Sequence, residues 1–457
     1  MKKISLIIIF LLSIHTISLA QTDFNVRVIA NNLDTPWEIL WGPDNYIWMT
    51  ERYGRISRIN PISRQLQSLV IVDEVFEDGE RGMMGLALHP DFTNNPYVYV
   101  VYNIGNDNSS SKIKVVRFIF DGNILKEPIT IIENIQGWWN HNGSRLWITD
   151  DLKLFVTVGD AANTKNSQDL NTLNGKILRM NLDGTIPSDN PFPNSYIYSF
   201  GHRNPQGFVI VNGKIYSSEH GPSTDDEINI IEAGKNYGWP NIVGYCNTQT
   251  EIDFCKKNNT VEPLYSLTPE ATLAIAGLDF YDKDLIPEWN NSLLVTALKD
   301  HKLVQLKLNE SGDSVLFRKD HFEDYGRLRD LCISPDGKVY IASSNKDGRG
   351  SPSAEDDRII EISRTNTAVK KNDDELFLVY PNPGNGSFNI ISNKDFENAE
   401  LIVSNVLGIE ICRINLNHFT SKVDLKEKNG GNLLKGIYYV ILHIENKSYI
   451  EKIIINE

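Results

Sequence analysis

The chain has 457 residues, 41% of them hydrophobic and 23% charged, with a formal net charge of −14. The length exceeds one ordinary domain, and the acidic balance excludes a nucleic-acid partner, which needs a basic surface. Aromatic content of 10%, with 31 Gly and 19 Pro, suits short strands joined by tight turns.

In chain order, residues 1–20 have the form of a signal peptide: Lys2 and Lys3, an apolar run from Ile4 to Leu12, then the small-x-small site Ser18-Leu19-Ala20. That run is too short to span a bilayer, and no later stretch reaches about 18 uninterrupted apolar residues, so no transmembrane segment is expected. Residues 22–362 repeat a turn-strand-turn-strand pattern. Gly42-Pro43-Asp44-Asn45 precedes Tyr46–Met49, Leu152–Val158 precedes Gly175–Gly184, and Asn212-Gly213 and Ser334-Pro335-Asp336-Gly337 open further copies. The repeat predicts an all-β, six-bladed β-propeller rather than an array of sandwiches, and no long helical periodicity competes with it.

Residues 363–376 are polar and lack apolar periodicity, which reads as a linker. Residues 377–457 carry short strands, among them Phe377–Tyr380, Phe388–Ile391, Leu401–Val403, Ile437–Ile441 and Ile453–Ile455, and predict a small β-sandwich. Four cysteines form no C-x-x-C pair. Cys246 and Cys255 flank a polar stretch and are either disulfide-bonded, in an oxidising compartment, or two free thiols.

Several loops hold polar residues where strand alternation does not ask for them. Asn140-His141-Asn142 offers an imidazole able to take a proton from a hydroxyl, and Asp160, at a strand end, a carboxylate able to orient it. Arg203-Asn204 lies between Gly201 and Gly207, and Lys299, Arg327 and Arg329 concentrate cations that suit an anionic ligand. Asp225, Asp226 and Glu227 follow Gly221-Pro222, a mixture of carboxylates and free carbonyls of the kind calcium prefers. Each has an ordinary reading beside it: a solvated histidine, an Asx turn, a charged strand face, an acidic turn.

Together these segments resemble the soluble quinoprotein glucose dehydrogenases and the related aldose sugar dehydrogenases. The shared text is GLALHPDF at Gly85–Phe92, NGKILRMNLDGTIP at Asn174–Pro187 and GHRNPQG at Gly201–Gly207. DDEIN at Asp225–Asn229, NYGWPN at Asn236–Asn241 and RLRD at Arg327–Asp330 extend it. The resemblance implies a pyrroloquinoline quinone (PQQ) cofactor, calcium and oxidation of an aldose, with electrons passed to an unidentified acceptor. It implies His141 as general base, Asp160 as its holder and Arg203 as the group that steadies charge on the quinone. Asn204, Lys299, Arg327 and Arg329, with Arg203, would bind the cofactor. Gly221 and Pro222 would ligate the cofactor's calcium through their carbonyls, and Asp226, Glu227 and Tyr237 would form a further calcium site. Glu80 and Arg81, which replace the glutamine-asparagine of the GQNG loop, would face the sugar with Asn140 and His141. Pro263–Pro269 lacks the long insertion of the glucose enzymes, which brings the chain nearer the aldose sugar dehydrogenases. A partner-binding propeller without activity and a calcium-dependent lactonase are the alternatives. The C-terminal module, opening Tyr380-Pro381-Asn382-Pro383-Gly384, resembles the type A sorting domain of type IX secretion, implying export through that machinery to the cell surface or beyond.

Overall fold

The computed structural model describes residues 24–364 except Pro269, and the segments 377–380, 382, 384–392, 399–406, 408–416, 420–425, 434–444 and 447–456. The expected signal peptide and most of the expected linker lie outside the described residues. The chain divides into two units, with the division between Thr365 and Asn366.

The first unit is a six-bladed β-propeller built from six four-stranded antiparallel sheets. Its innermost strands, Pro36–Trp41, Met83–Leu88, Leu146–Ile148, Pro205–Val211, Ile275–Tyr281 and Leu328–Ile333, follow one another around the axis. Within a blade, successive strands pair with their immediate neighbours. Asn212 (φ 50°) and Gly213 (φ 78°) form a two-residue hairpin turn that sets Val211 opposite Lys214. An Asn-Gly pair tolerates the left-handed backbone that such a turn needs.

The ring closes through its ends. Strand Phe24–Ala30 is the outermost strand of the sixth blade and pairs with Ile359–Arg364. Because side chains alternate across each strand, every blade presents one face to the preceding blade and one to the next. Six apolar clusters fill the six gaps; for example, Trp48 and Ile56 of the first blade pack on Met83 and Val98 of the second. Double-sided burial removes the polar-out alternation of an ordinary sheet.

One departure from the expected all-strand chain is helix α1, Gln249–Asn258, capped by a reciprocal Thr248–Glu251 box. The T-x-x-E signal was present in the sequence; the helix buries no residue, so no apolar period marked it. Cys255 lies in α1 and is disulfide-bonded to Cys246, with Cα atoms 6.7 Å apart. The second unit is a β-sandwich: a three-stranded sheet and a four-stranded sheet share one apolar core that includes Phe388, Leu401, Val440 and Ile453.

Candidate active site

In an antiparallel four-strand blade, the loop entering the first strand and the loop joining the second to the third emerge at the same end. Repeated six times, this brings segments 31–35, 72–82, 137–145, 201–204, 267–274 and 322–327 to one face. Segments 52–54, 105–111, 159–175, 220–226, 298–301 and 344–358 join them there. Residues far apart in sequence thus surround one cleft of about 400 Å³.

Two of these loops hold an imidazole–carboxylate pair. His141 Nδ1 lies 2.8 Å from Asp160 Oδ1. The Asp160 carboxylate, fully buried, also accepts the Trp239 indole N–H at 2.9 Å and the Ala162 amide at 2.8 Å. With Nδ1–H donated to a carboxylate, the lone pair of the neutral ring is on Nε2. His141 adopts a left-handed backbone (φ 56°), as do Ala161 and Ala162 (φ 54° and 56°), conformations that cost energy and need support from their surroundings. Gly159 allows the two loops to meet, because a Cβ there would sit 2.1 Å from the His141 carbonyl oxygen.

The cleft wall carries Arg52, Arg327, Arg329, Lys346 and Arg349, against Glu80 and Asp347. Asp347 binds Arg327 through Nε at 2.8 Å and Nη2 at 2.7 Å. Arg329 donates Nη1 to Gln206 Oε1 at 2.8 Å, and burial lowers its guanidinium to about 10, still cationic at neutral pH. Below it, Arg145 ties Glu38 (2.5 Å) and Asp330 (3.0 Å) into a buried ionic network under the Trp37 ring. Five cations against two carboxylates make the cleft attractive to an anionic, multidentate ligand. Burial alone would raise the Glu80 carboxyl, but Arg349, with His141 and His220, overrides it and holds it below the usual carboxylate range.

Arg203 borders a second, smaller cavity with Glu219, Gly221, Pro222, Glu227, Tyr237 and Trp239. Its Nη1 donates to the His220 carbonyl at 2.8 Å, while Nε is buried with no partner. Glu219 accepts the Arg203 and Asn204 amides and meets His202 Nδ1 at 3.0 Å, which fixes the turn. Glu219 and Glu227 stand directly opposite on paired strands, and burial together with that like charge pushes the Glu227 carboxyl up. Such a pair suits a cation. Among the described residues no three His, Cys, Asp or Glu side chains converge as a metal cage. A metal here would therefore lean on carbonyl oxygens, and that of Gly221 already meets His220 Nδ1 at 2.9 Å.

Other expected residues are placed differently. Arg81 does not face the cleft: its guanidinium is buried, bonded to Asp78 and to Asn108 Oδ1 (2.8 Å), and lies over Phe76. Its long side chain follows the loop inward to hold it, leaving Glu80 as the member of that pair on the cleft. Asp226 is turned inward, accepting Gly221 N, Thr272 Oγ1 and Leu273 N at 2.7–2.8 Å, and does not line the second cavity. Lys299 is exposed; its neighbour Leu298 lines the cleft instead. Asn204 uses its side-chain oxygen on the Gly143 amide at 3.1 Å, bracing the histidine loop, and Asn140 keeps a buried Oδ1 without a partner.

Sequence reasoning did not single out Arg52, Trp139, Gln206, Trp239, Lys346, Asp347 or Arg349. Gln206 and Trp239 sit inside motifs quoted above, and Asn345–Gly350 is a polar, glycine-bearing loop of the same kind. Arg52 had no local signal, since it ends a hairpin like any surface arginine.

The fold and this cleft define a β-propeller with a partly exposed histidine held by a buried aspartate beside an anion-attracting pocket. Residues 33–352 match the Glucose / Sorbosone dehydrogenase family, and the chain belongs to it. Residues 378–456 match the secretion system C-terminal sorting domain. Among relatives, the quinoprotein glucose dehydrogenase B of Acinetobacter calcoaceticus is 33% identical, covering 71% of this chain and 86% of that protein. The aldose sugar dehydrogenase YliI of Escherichia coli is 30% identical, with 72% and 92% covered. The structure of the PQQ-bound aldose sugar dehydrogenase from Streptomyces coelicolor superposes with a TM-score of 0.65 at 29% identity, covering 75% of this chain and 99% of that one.

Proposed function

We propose that the chain is a PQQ- and calcium-dependent dehydrogenase that oxidises aldose sugars at the anomeric carbon to lactones. The observation that carries this reading is the His141–Asp160 pair, 2.8 Å apart, beside a cleft walled by four arginines and a lysine. The residues fit such a cofactor: Arg203 and Arg329 each keep a buried, unpartnered Nε, a donor awaiting an acceptor oxygen. Arg327 and Arg329 would hold carboxylates in the cleft, and the Gly221 and Pro222 carbonyls, near Glu219 and Glu227, would hold the calcium.

When bound, PQQ supplies the acceptor for the hydride of the anomeric carbon, and calcium the charge that polarises it. The protein's own part is proton removal and charge placement. His141 Nε2 takes the proton of the anomeric hydroxyl, and the resulting imidazolium is stabilised by Asp160, which already holds Nδ1. The Trp239 and Ala162 donors keep that carboxylate from turning away. Arg203, partly desolvated, places a positive charge where negative charge develops. The sorting-domain match supports export by type IX secretion, and residues 1–20, read as a signal peptide from their sequence, would be removed on the way.

Purified apo protein should reduce a redox dye with aldoses only after PQQ and calcium are added. Equal activity without PQQ, or with a nicotinamide cofactor alone, rejects the reading. Binding of PQQ with no oxidation of any aldose would leave the partner-binding alternative.

A further inference from the structure

Of the eight tryptophans, all among the described residues, Trp139 alone is exposed, at 41%, and it lines the cleft. What sets it apart is its place on the cleft: a large ring with an apolar face and a polar N–H edge is suited to recognition. The turn that carries it is rigid. Asn142 accepts the Trp138 amide at 3.1 Å, donates to the Trp138 carbonyl at 2.8 Å, and is itself held by Asn103 at 3.2 Å. The Trp139 carbonyl accepts the Glu80 amide at 2.6 Å. That approach requires a glycine at position 79, where a Cβ would sit 2.5 Å from the same oxygen.

Glu80 completes the arrangement. Its Oε2 accepts the His141 amide at 3.2 Å and its Oε1 pairs with Arg349 Nη1 at 2.7 Å. An indole, a carboxylate and a half-exposed guanidinium therefore stand together at the cleft, two residues from His141. An aromatic face beside planar polar groups is what a pyranose ring asks for: its axial C–H bonds pack on the ring, and its adjacent hydroxyls need acceptors and donors together.

We propose that Trp139 is the stacking platform for the sugar ring, and that the Glu80–Arg349 pair is the hydrogen-bonding clasp that orients it toward His141. The inference rests on the aldose-oxidising reading and names its specificity-determining wall. A platform on a tied turn costs little entropy on binding, so its removal should appear mainly in KM.

Steady-state kinetics of the PQQ- and calcium-reconstituted protein test this with Trp139→Ala and Trp139→Phe. Trp139→Ala should raise KM for the aldose by roughly 10- to 100-fold with a far smaller change in kcat, whereas Trp139→Phe should recover most of the loss. In parallel, titration with the methyl glycoside of glucose, which cannot be oxidised at its blocked anomeric centre, should quench tryptophan fluorescence in the parent and not in Trp139→Ala. An unchanged KM and an unchanged quench in Trp139→Ala overturn the platform while leaving the dehydrogenase reading intact. A parent protein that oxidises no aldose but shows the Trp139-dependent quench overturns the dehydrogenase reading and keeps the platform; absence of quench in the parent overturns the platform.

Discussion

His141 is held in a left-handed conformation by three contacts from other loops: its amide on Glu80, its carbonyl accepting the Ala161 amide at 3.2 Å, and its ring on Asp160. The strain and its supports make it a positioned group rather than a solvated one. His141→Ala should slow reduction of the bound quinone by sugar by about 10²–10⁴-fold, the usual worth of a positioned base, with PQQ affinity nearly unchanged. Asp160→Asn should cost less, because the base remains while its orientation and imidazolium stabilisation weaken. Stopped-flow reduction of reconstituted protein reads both, and a His141→Ala protein reduced at the parent rate removes the histidine from the mechanism. The imidazole and carboxylate were legible as residue types in loops. Their pairing was expected from residue type and from the family resemblance rather than from local propensity, since nothing in the 18 intervening positions forces the two loops to within 2.8 Å.

At the scale of strands, the third-to-second pairing in the fourth blade places Glu219 opposite Glu227. Like charges in direct register destabilise a sheet unless a proton or cation intervenes. Glu227→Gln should therefore raise the melting temperature in chelator, and should abolish the rise that calcium gives the parent. A calcium-induced rise that survives the substitution removes Glu227 from the cation site. The inner strand of the fifth blade carries half-buried Asp279, whose carboxyl burial, with neighbouring Asp330, pushes up from 3.8 to about 7. Between those values the folded state holds a proton that the unfolded state has released, so this group's contribution to stability, present in full below 3.8, falls as pH rises through the window and is gone above about 7. Asp279→Asn should flatten that part of the melting-temperature profile; an identical profile in the variant places the titration elsewhere.

Over the whole molecule, closure of the ring depends on the strand furthest from its partner in sequence. Phe24 packs on Trp289 at 5.0 Å, Ile29 is buried against Ile39 and Tyr340, and the strand supplies the outer edge of the sixth blade. A chain beginning after Ala30 loses these contacts, each buried side chain of this size contributing about 1.5–3 kcal/mol. It should melt several degrees lower than the parent. A chain ending at Arg364 should melt as the parent propeller does and keep its dye-linked activity, since the two units have separate cores. Scanning calorimetry of both truncations checks this; a destabilised propeller in the second would show that the cores are coupled.

The sequence by itself determined the architecture and the inventory of chemistry. Turn residues such as Asn212-Gly213 specify hairpins locally, and the turn-strand-turn-strand pattern recurs at blade length, so six blades and a separate sandwich were readable. The residues His141, Asp160, Arg203, Arg327 and Arg329 were readable as loop chemistry and motif. What only the tertiary structure decided is which of them face one another. The inward turn of Arg81 and Asp226, the exposure of Lys299, and the arrival of Arg52, Trp139 and Arg349 at the cleft all depend on loops from all six blades meeting at one end of a closed ring. Closure joins Phe24–Ala30 to Ile359–Arg364 across more than 300 residues, and no local propensity encodes a contact at that separation.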